Sequence, residues 1–112
     1  MIDIDFTEYR YPDGTTRELK VEGHAYYDEC GKDIVCAGVS AITQALAGYI
    51  ENADLDFDMQ QSPEGGYMYL CAFDINEAAN AAFEMALIGL LQIEMAYPKH
   101  VTVGVKIMPE KI

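Results

Sequence analysis

Residues 19–50 read LKVEGHAYYDECGKDIVCAGVSAITQALAGYI, and the period of their apolar side chains changes part-way along. At the start, Leu19 and Val21 alternate with charged residues, which predicts a strand buried on one face. From residue 34 the apolar side chains recur at spacings of three and four, which predicts a helix over 34–52. We therefore expect a strand, a connecting loop and a helix that share one core.

A second strand signal lies upstream of this stretch. Ile2, Ile4 and Phe6 alternate with polar residues, which is the period of two that a half-buried strand needs. Asp13-Gly14 then supplies a strong turn signal before the strand at Leu19. The chain is therefore predicted to open with a β-hairpin.

Four further elements are predicted downstream. A second hairpin is indicated by strand-like patterns over 55–59 and 67–73, on either side of the turn-rich residues 62–66. Residues 76–95 are rich in Ala, Leu, Met and Glu, which favour a helix. Alternating apolar residues over 101–107 predict a last strand, which completes the order ββαββαβ.

The expected fold class is α/β. Two helices cannot cover both faces of a five-stranded sheet, so we predict a two-layer sandwich with a mixed, mainly antiparallel sheet and two helices. At 112 residues the chain has the size of one domain, which we assign as a single domain over 1–112. The very apolar second helix is expected either to be well buried or to form a homodimer interface.

The composition is strongly acidic, with 7 Lys and Arg against 19 Asp and Glu and a formal net charge of −12. Such a charge repels nucleic-acid phosphates and anionic membrane surfaces, so neither is expected as a direct partner. It would attract a basic polypeptide, although an acidic surface also commonly serves solubility. The sequence has no run of 18 apolar residues and no signal-peptide pattern, so we expect a cytoplasmic protein.

The three cysteines are Cys30, Cys36 and Cys71, an odd number without a CxxC pair, which suits a reducing compartment. Cys30 lies in the predicted loop and Cys71 in an apolar strand, so neither is expected to be catalytic. A zinc site built on His24, Cys30 and Cys36 would need spacings of six and six, which is not a familiar pattern. No metal is therefore expected.

Cys36 is the candidate nucleophile. Asp is a preferred N-cap residue, and if Asp33 caps the helix then Cys36 occupies the third helical position, at the positive end of the helix dipole. This position is expected to lower the pKa of the Cys36 thiol and to favour the thiolate. The backbone N–H of Cys36 could also bind the oxyanion of a tetrahedral intermediate, so acyl transfer suits the site.

His24 is the candidate base, and His100 is the other histidine of the chain. The alternation that buries Leu19 and Val21 directs His24 away from the core, so we expect a bulge at Gly23 to re-aim it. From residue types and placement alone, a catalytic Cys–His pair and two unrelated structural residues are about equally favoured.

Three other polar or aromatic residues are open to two interpretations. Ser40 lies four residues after Cys36 on the same side of the predicted helix, where it could contact substrate or polarise the thiol, or simply permit close helix packing. Tyr26 and Tyr27 could grip a substrate side chain, or pack locally within the loop.

Two segments of the chain resemble the bacterial ribosomal-processing cysteine proteases of the Prp family. That family has Gly-His-Ala at a strand end, a short mobile loop, and Gly-x-Asp-Ile-Val-Cys-Ala-x-Val-Ser at a helix start. Residues 23–25 match the first segment and residues 31–40 match the second, with 12 positions from His24 to Cys36. Gly38 stands where a second alanine is common, a departure that leaves the Cys–His pair intact.

The resemblance implies a cysteine-type endopeptidase, a thiol protease that acts in ribosome biogenesis. Its substrate would be the precursor of a large-subunit ribosomal protein, from which it removes an N-terminal extension. The resemblance also implies Cys36 as nucleophile and His24 as general base, with Asp33 and Ser40 as supporting groups. It implies a homodimer and no cofactor.

The loop over 26–32 is expected to act as a gate that orders when substrate arrives. It contains Tyr26, Tyr27 and Gly31. The position of the base would then depend on the state of this loop.

Two alternatives remain at this stage. One is a non-catalytic acidic module that binds or assembles with a basic ribosomal protein, in which His24 and Cys36 have no chemical role. The other is a redox or acyl-transfer enzyme that uses the same cysteine with a different partner, although the absence of a CxxC pair argues against redox chemistry.

Overall fold

The computed structural model of the protein describes residues 1–29 and 31–109. Its elements follow the predicted order ββαββαβ. The strands and helices are β1 Ile2–Tyr11, β2 Gly14–Gly23, α1 Ile34–Asn52, β3 Asp56–Gln61, β4 Tyr67–Phe73, α2 Glu77–Ala96 and β5 Val101–Met108. The predicted fold class is confirmed.

The five strands form one mixed sheet in the order β3-β4-β2-β1-β5. Every neighbouring pair is antiparallel except β1 and β5, which are parallel because α2 carries the chain back along the sheet before β5 begins. Ile2 pairs with both Gly23 and Val101. These three residues meet at one end of the sheet, directly beside His24 and His100.

The hydrophobic core lies between the sheet and the two helices. In β1 and β2 the residues that alternate inward are the ones the sequence predicted, while the opposite sheet face carries Asp3, Asp5 and other polar side chains. The core side chains include Ile2, Ile4, Phe6, Leu19, Val21, Leu70, Val35, Val39, Ile50, Phe83 and Leu90. The protein is therefore a two-layer sandwich, with both helices on one face of the sheet.

The last strand departs from the expected burial pattern. Val101 is fully buried, but Val105 and Ile107 are 55% and 48% exposed. Strand β5 lies at the edge of the sheet, next to β1. The alternation at 101–107 predicted the strand correctly but not its burial.

Both helices are long and apolar enough to cross a membrane, judged by length and composition alone. In this fold each helix packs one side on the sheet, which accounts for part of its apolar character. Some of the other apolar side chains line an apolar groove of about 550 Å³ between α1 and α2. The groove, called the interhelical groove below, is lined by Ala41, Ile42, Ala45, Leu46, Tyr49, Ala82, Met85, Ala86 and Gly89.

Candidate active site

Asp33 is the N-cap of α1, as the sequence predicted. Its Oδ1 accepts hydrogen bonds from the amides of Val35 at 3.0 Å and Cys36 at 2.9 Å. Asp33 Oδ2 accepts from the amides of Tyr27 at 3.0 Å and Asp28 at 3.4 Å. One carboxylate therefore ties the start of the helix to the loop that precedes it.

These hydrogen bonds also set the charge state of Asp33. Partial burial acts to raise the pKa of the carboxyl, but the amides of Cys36, Tyr27 and Asp28 outweigh it and hold the pKa below its usual value. Asp33 is consequently ionised at neutral pH and acts as a fixed negative charge beside Cys36.

Cys36 occupies the third position of α1 and is partly buried. Its Sγ accepts a hydrogen bond from the amide of Ala25 at 3.3 Å. Burial raises the pKa of the thiol; the Ala25 amide lowers it, and the charge of Asp33 raises it again. The net result is a raised pKa, so the expectation of a lowered one was wrong: burial and the capping carboxylate outweigh the amide of Ala25.

The amide of Cys36 does not have the role expected of it either. It donates to Asp33 Oδ1 and is therefore not free to bind an oxyanion. The expectation failed because the side chain that caps a helix uses the same first-turn amides that an oxyanion would need.

His24 is turned towards the site by Gly23, without the expected bulge. Gly23 keeps its regular pairing with Ile2, but its φ of +95° lies in the left-handed region, and the chain changes direction there. Gly23 also donates its amide to the carbonyl of Gly66 at 2.8 Å. His24 is exposed and lies against this β3–β4 turn, since a Cβ placed on Gly66 would be 2.7 Å from His24 Nε2.

Two clefts meet at Cys36. The first, of about 200 Å³, extends between α1 and the β3–β4 turn and reaches Gln61, Gly65 and Gly66. The second, of about 390 Å³, extends under the loop before α1 and is lined by Tyr26, Asp28, Gly31, Asp33 and Ala37. His24, Cys36 and Ser40 line both clefts. The fold therefore gathers these three side chains at one junction.

No hydrogen bond joins His24 to Cys36 within residues 1–29 and 31–109. Catalytic pairs are often too long or poorly aligned in a protein without substrate, and they tighten when it binds. His24 and Cys36 line the same two clefts, so the imidazole and the thiol lie on the same side of the molecule. The loop before α1 connects the two residues along the chain.

The loop residues differ in how they are held. Tyr26, with φ of +54°, is 76% exposed, and its ring lies 5.8 Å from the His24 ring, centre to centre. Tyr27 instead packs edge-on against Tyr97 at 5.3 Å and His100 at 5.4 Å. Gly31 adopts φ of +88° at the wall of the second cleft. Cys30, expected to be incidental, lies outside the described residues.

A family model described as Cysteine protease Prp matches residues 1–102. The chain belongs to the Prp family of cysteine proteases. The ribosomal processing cysteine protease Prp of Staphylococcus aureus is 30% identical over 112 residues, which cover 95% of this chain and all of that protein. Prp of Mycoplasma genitalium is 29% identical over 86 residues, which cover 77% of this chain and 85% of that one.

A solved Prp structure has the same fold. The crystal structure of the essential S. aureus Prp in complex with a covalently linked product peptide superposes with a TM-score of 0.82 at 29% identity. The match covers 95% of this chain and 100% of that chain. Membership of the family makes this chain a cysteine protease, which favours the enzyme over a non-catalytic binding module or a redox enzyme.

The sequence did not single out two residues that contact segments of the candidate site. Gly66 was assigned only to a turn, yet it leaves the space that the His24 ring occupies. His100 was considered only as an alternative base, yet its Nδ1 lies 2.8 Å from the carbonyl oxygen of Ala25. No local signal identifies either residue, because both contacts join segments that are distant in sequence.

The other described cysteine offers no second Prp-type site. Cys71 is a buried free thiol in β4, and burial raises its pKa. Within the part of the chain that the structure describes, no group of three or more His, Cys, Asp or Glu side chains could hold a metal ion. Of the two cysteines that the structure describes, Cys36 is therefore the one that lies in a cleft beside a histidine.

Proposed function

We propose that this protein is a cysteine endopeptidase that removes the N-terminal extension of a precursor of a large-subunit ribosomal protein. Cys36 is the nucleophile and His24 the general base. The observation that carries the proposal is the junction of two clefts at Cys36, His24 and Ser40. The relatives named as ribosomal processing proteases supply the substrate class.

The raised pKa of Cys36 gives His24 a specific role. A thiol that is mostly protonated at neutral pH needs a base to take its proton as it attacks. His24 accepts the proton from Sγ, and the thiolate adds to the scissile carbonyl carbon. The imidazolium then protonates the leaving amine, and the C–N bond breaks to leave a thioester on Cys36. Water, deprotonated by His24, hydrolyses the thioester and releases the thiol.

Asp33 and Ser40 support this chemistry in different ways. Asp33 fixes the first turn of α1 and the loop through four amides, and it thereby positions Cys36. Ser40 lies one turn after Cys36 and presents a hydroxyl where the clefts join. In this scheme Ser40 donates a hydrogen bond to the bound substrate, a role that the occupied Cys36 amide cannot fill.

Endopeptidase activity is supported by the space on both sides of the thiol. A peptide whose scissile bond lies at Cys36 can extend into the cleft along the β3–β4 turn and into the one under the loop. The loop over 26–32 acts as the gate of the second cleft: Tyr26 closes over His24, while Tyr27 remains on Tyr97 and His100. Gly31 provides a left-handed position at which the loop can bend.

The protease acts as a homodimer in this proposal, and residues 1–112 form its single domain. The interhelical groove and the exposed side chains of Met85, Ile88 and Met95 leave more apolar surface on the helices than the sheet covers. A second copy with the same groove would bury it in a symmetric contact. The cytoplasm, where ribosomal proteins are made, is the proposed location.

The test is cleavage of a peptide that spans the extension and the first residues of the mature precursor, with products identified by mass spectrometry. The wild-type protein should give two fragments. Cys36→Ala and His24→Gln should leave the peptide intact, whereas Cys71→Ala, a matched cysteine away from both clefts, should cleave it normally.

Three results would count against the assignment. Failure of the wild-type protein to cleave the peptide would exclude this substrate, and binding without cleavage would support an assembly module instead. Undiminished cleavage by Cys36→Ala would exclude the proposed nucleophile.

A further inference from the structure

The two polar backbone groups of Ala25 are both engaged next to the site. Its N–H donates to Cys36 Sγ at 3.3 Å, and its carbonyl oxygen lies 2.8 Å from Nδ1 of His100. Ala25 itself is buried, with 1% of its surface exposed. A carbonyl oxygen only accepts hydrogen bonds, so His100 Nδ1 must carry the proton that joins them.

His100 is held by the body of the fold rather than by the loop. Its amide donates to the carbonyl of Tyr97 at 2.9 Å, and its own carbonyl accepts from the amide of Ile2 at 2.8 Å. These bonds attach it to the end of α2 and to the first residue of β1. Its ring also packs edge-on against Tyr27. The imidazole is therefore a fixed point against which Ala25 is placed.

We infer that His100 is a positioning residue of the protease: by holding the Ala25 carbonyl, it keeps the Ala25 N–H on Cys36 Sγ and fixes the chain next to His24. This inference rests on the proposed function of Cys36 and His24. His100 lines neither of the two clefts that meet at Cys36. It therefore acts through Ala25 and not as a second base.

The hydrogen bond from Ala25 gives His100 a chemical effect at a distance. An N–H that points at a sulfur stabilises the thiolate more than the thiol, so this contact favours ionisation of Cys36. The charged neighbour at the helix start, Asp33, acts in the opposite direction. If the Ala25 N–H moves away, the thiolate loses its nearest described donor, and the pKa of Cys36 rises.

Three substitutions separate the hydrogen bond from the packing of the ring. His100→Phe keeps an aromatic ring against Tyr27 but has no donor for the Ala25 carbonyl. His100→Asn carries an amide N–H close to the position of Nδ1, and His100→Leu has nearly the same shape as Asn without any donor. The Asn and Leu variants form a matched pair if the Phe variant does not fold.

The experiment measures the rate at which iodoacetamide alkylates Cys36 between pH 6 and 10, with the modified cysteine identified by peptide mapping. Thermal unfolding followed by circular dichroism confirms that each variant is folded. His100→Phe and His100→Leu should shift the rate profile to higher pH by about one unit, because a hydrogen bond to a charged group contributes about that much. His100→Asn should restore most of the wild-type profile.

Cleavage kinetics supply the second readout. The donor-free variants should lose about tenfold in kcat with little change in KM, because the altered group acts on the thiol and not on substrate binding. A wild-type alkylation profile in folded His100→Leu, or an Asn variant as impaired as the Leu variant, would overturn the inference. Since alkylation needs no substrate, this outcome is distinct from a failure to cleave the precursor peptide.

Discussion

Gly65 and Gly66 follow one another in the β3–β4 turn, and both adopt a φ of +83°. An alanine at either position meets the same backbone strain, roughly 1 kcal/mol. Only at Gly66 would the added Cβ also meet another group, the Nε2 of His24, whereas Gly65 has open space around it. The two glycines therefore differ in their effect on the proposed base but not in their effect on the turn.

We predict that Gly66→Ala lowers kcat/KM for the precursor peptide at least tenfold more than Gly65→Ala does. The collision displaces the His24 ring, and small misplacements of a catalytic group reduce rates steeply. Both variants should lose a similar amount of thermal stability, which serves as the control. Equal activities for the two variants would show that His24 does not depend on the space at Gly66.

For single residues, the sequence predicted positions in the fold better than it predicted pKa values and contacts. The positions of His24 and Cys36 at either end of a loop could be derived, and so could the capping role of Asp33. The raised pKa of Cys36 could not, because it depends on burial and on the orientation of the capping carboxylate. The contact between His100 and Ala25 joins residues 75 positions apart, which no local pattern reveals.

Among the elements, helices α1 and α2 are both capped at the N-terminus by a side chain, but only one of the two capping side chains is charged. Asp33 caps α1, while Asn76 caps α2 by accepting from the amide of Ala79 at 2.8 Å. Loss of either cap should destabilise the fold by about 1 kcal/mol at neutral pH. The two caps differ because only Asp33 can take up a proton.

We predict that Asp33 makes the stability of the protein depend on pH in the acidic range. Its folded pKa is lowered, so its contribution is fully present above the unfolded value of 3.8 and is lost as pH falls through the folded pKa. Denaturant unfolding of wild type, Asp33→Ala and Asn76→Ala at pH 7 and near pH 2.5 measures this. The deficit of Asp33→Ala relative to wild type should shrink at low pH, while that of Asn76→Ala should stay constant. Parallel deficits would contradict the prediction.

The bounds of α1 followed from the sequence more closely than those of β1. Helix α1 begins at Ile34 and ends at Asn52, as predicted from the cap and the apolar period. Strand β1 instead extends to Tyr11, well past the last alternating apolar residue, because pairing with β2 continues to the turn. Hydrogen bonding between strands extends an element further than its own side-chain pattern indicates.

At the scale of the whole molecule, the interhelical groove is the feature that the sheet leaves uncovered. Met85 lines this groove and is 73% exposed. We predict that Met85→Lys converts the proposed dimer to a monomer, because a charge buried in an apolar interface without a partner is strongly unfavourable. Sedimentation velocity of the variant and the wild type at equal concentration measures the change.

Val105→Lys is the control for this prediction. Val105 is 55% exposed on the edge strand β5, away from the interhelical groove, and the same charge there should leave the association state unchanged. A dimeric Met85→Lys protein, or a wild-type protein that is monomeric at micromolar concentration, would contradict a dimer through this groove.

The architecture could be predicted because the periods of two and of three to four are distinct in nearly every segment. The meeting of Cys36 with the β3–β4 turn could not, since it depends on the sheet order β3-β4-β2-β1-β5. That order places the end of β2 next to the start of β4, and so brings Gly66 to His24.

The most direct test of the chemistry uses a peptide chloromethyl ketone that ends at the scissile residue found in the cleavage assay. We expect the wild-type protein to gain one peptide mass, with the label on Cys36, and we expect His24→Gln to react at least tenfold more slowly. Labelling of Cys71 or Cys30 in place of Cys36, or an unchanged rate in His24→Gln, would contradict attack by a Cys36 thiolate that His24 generates.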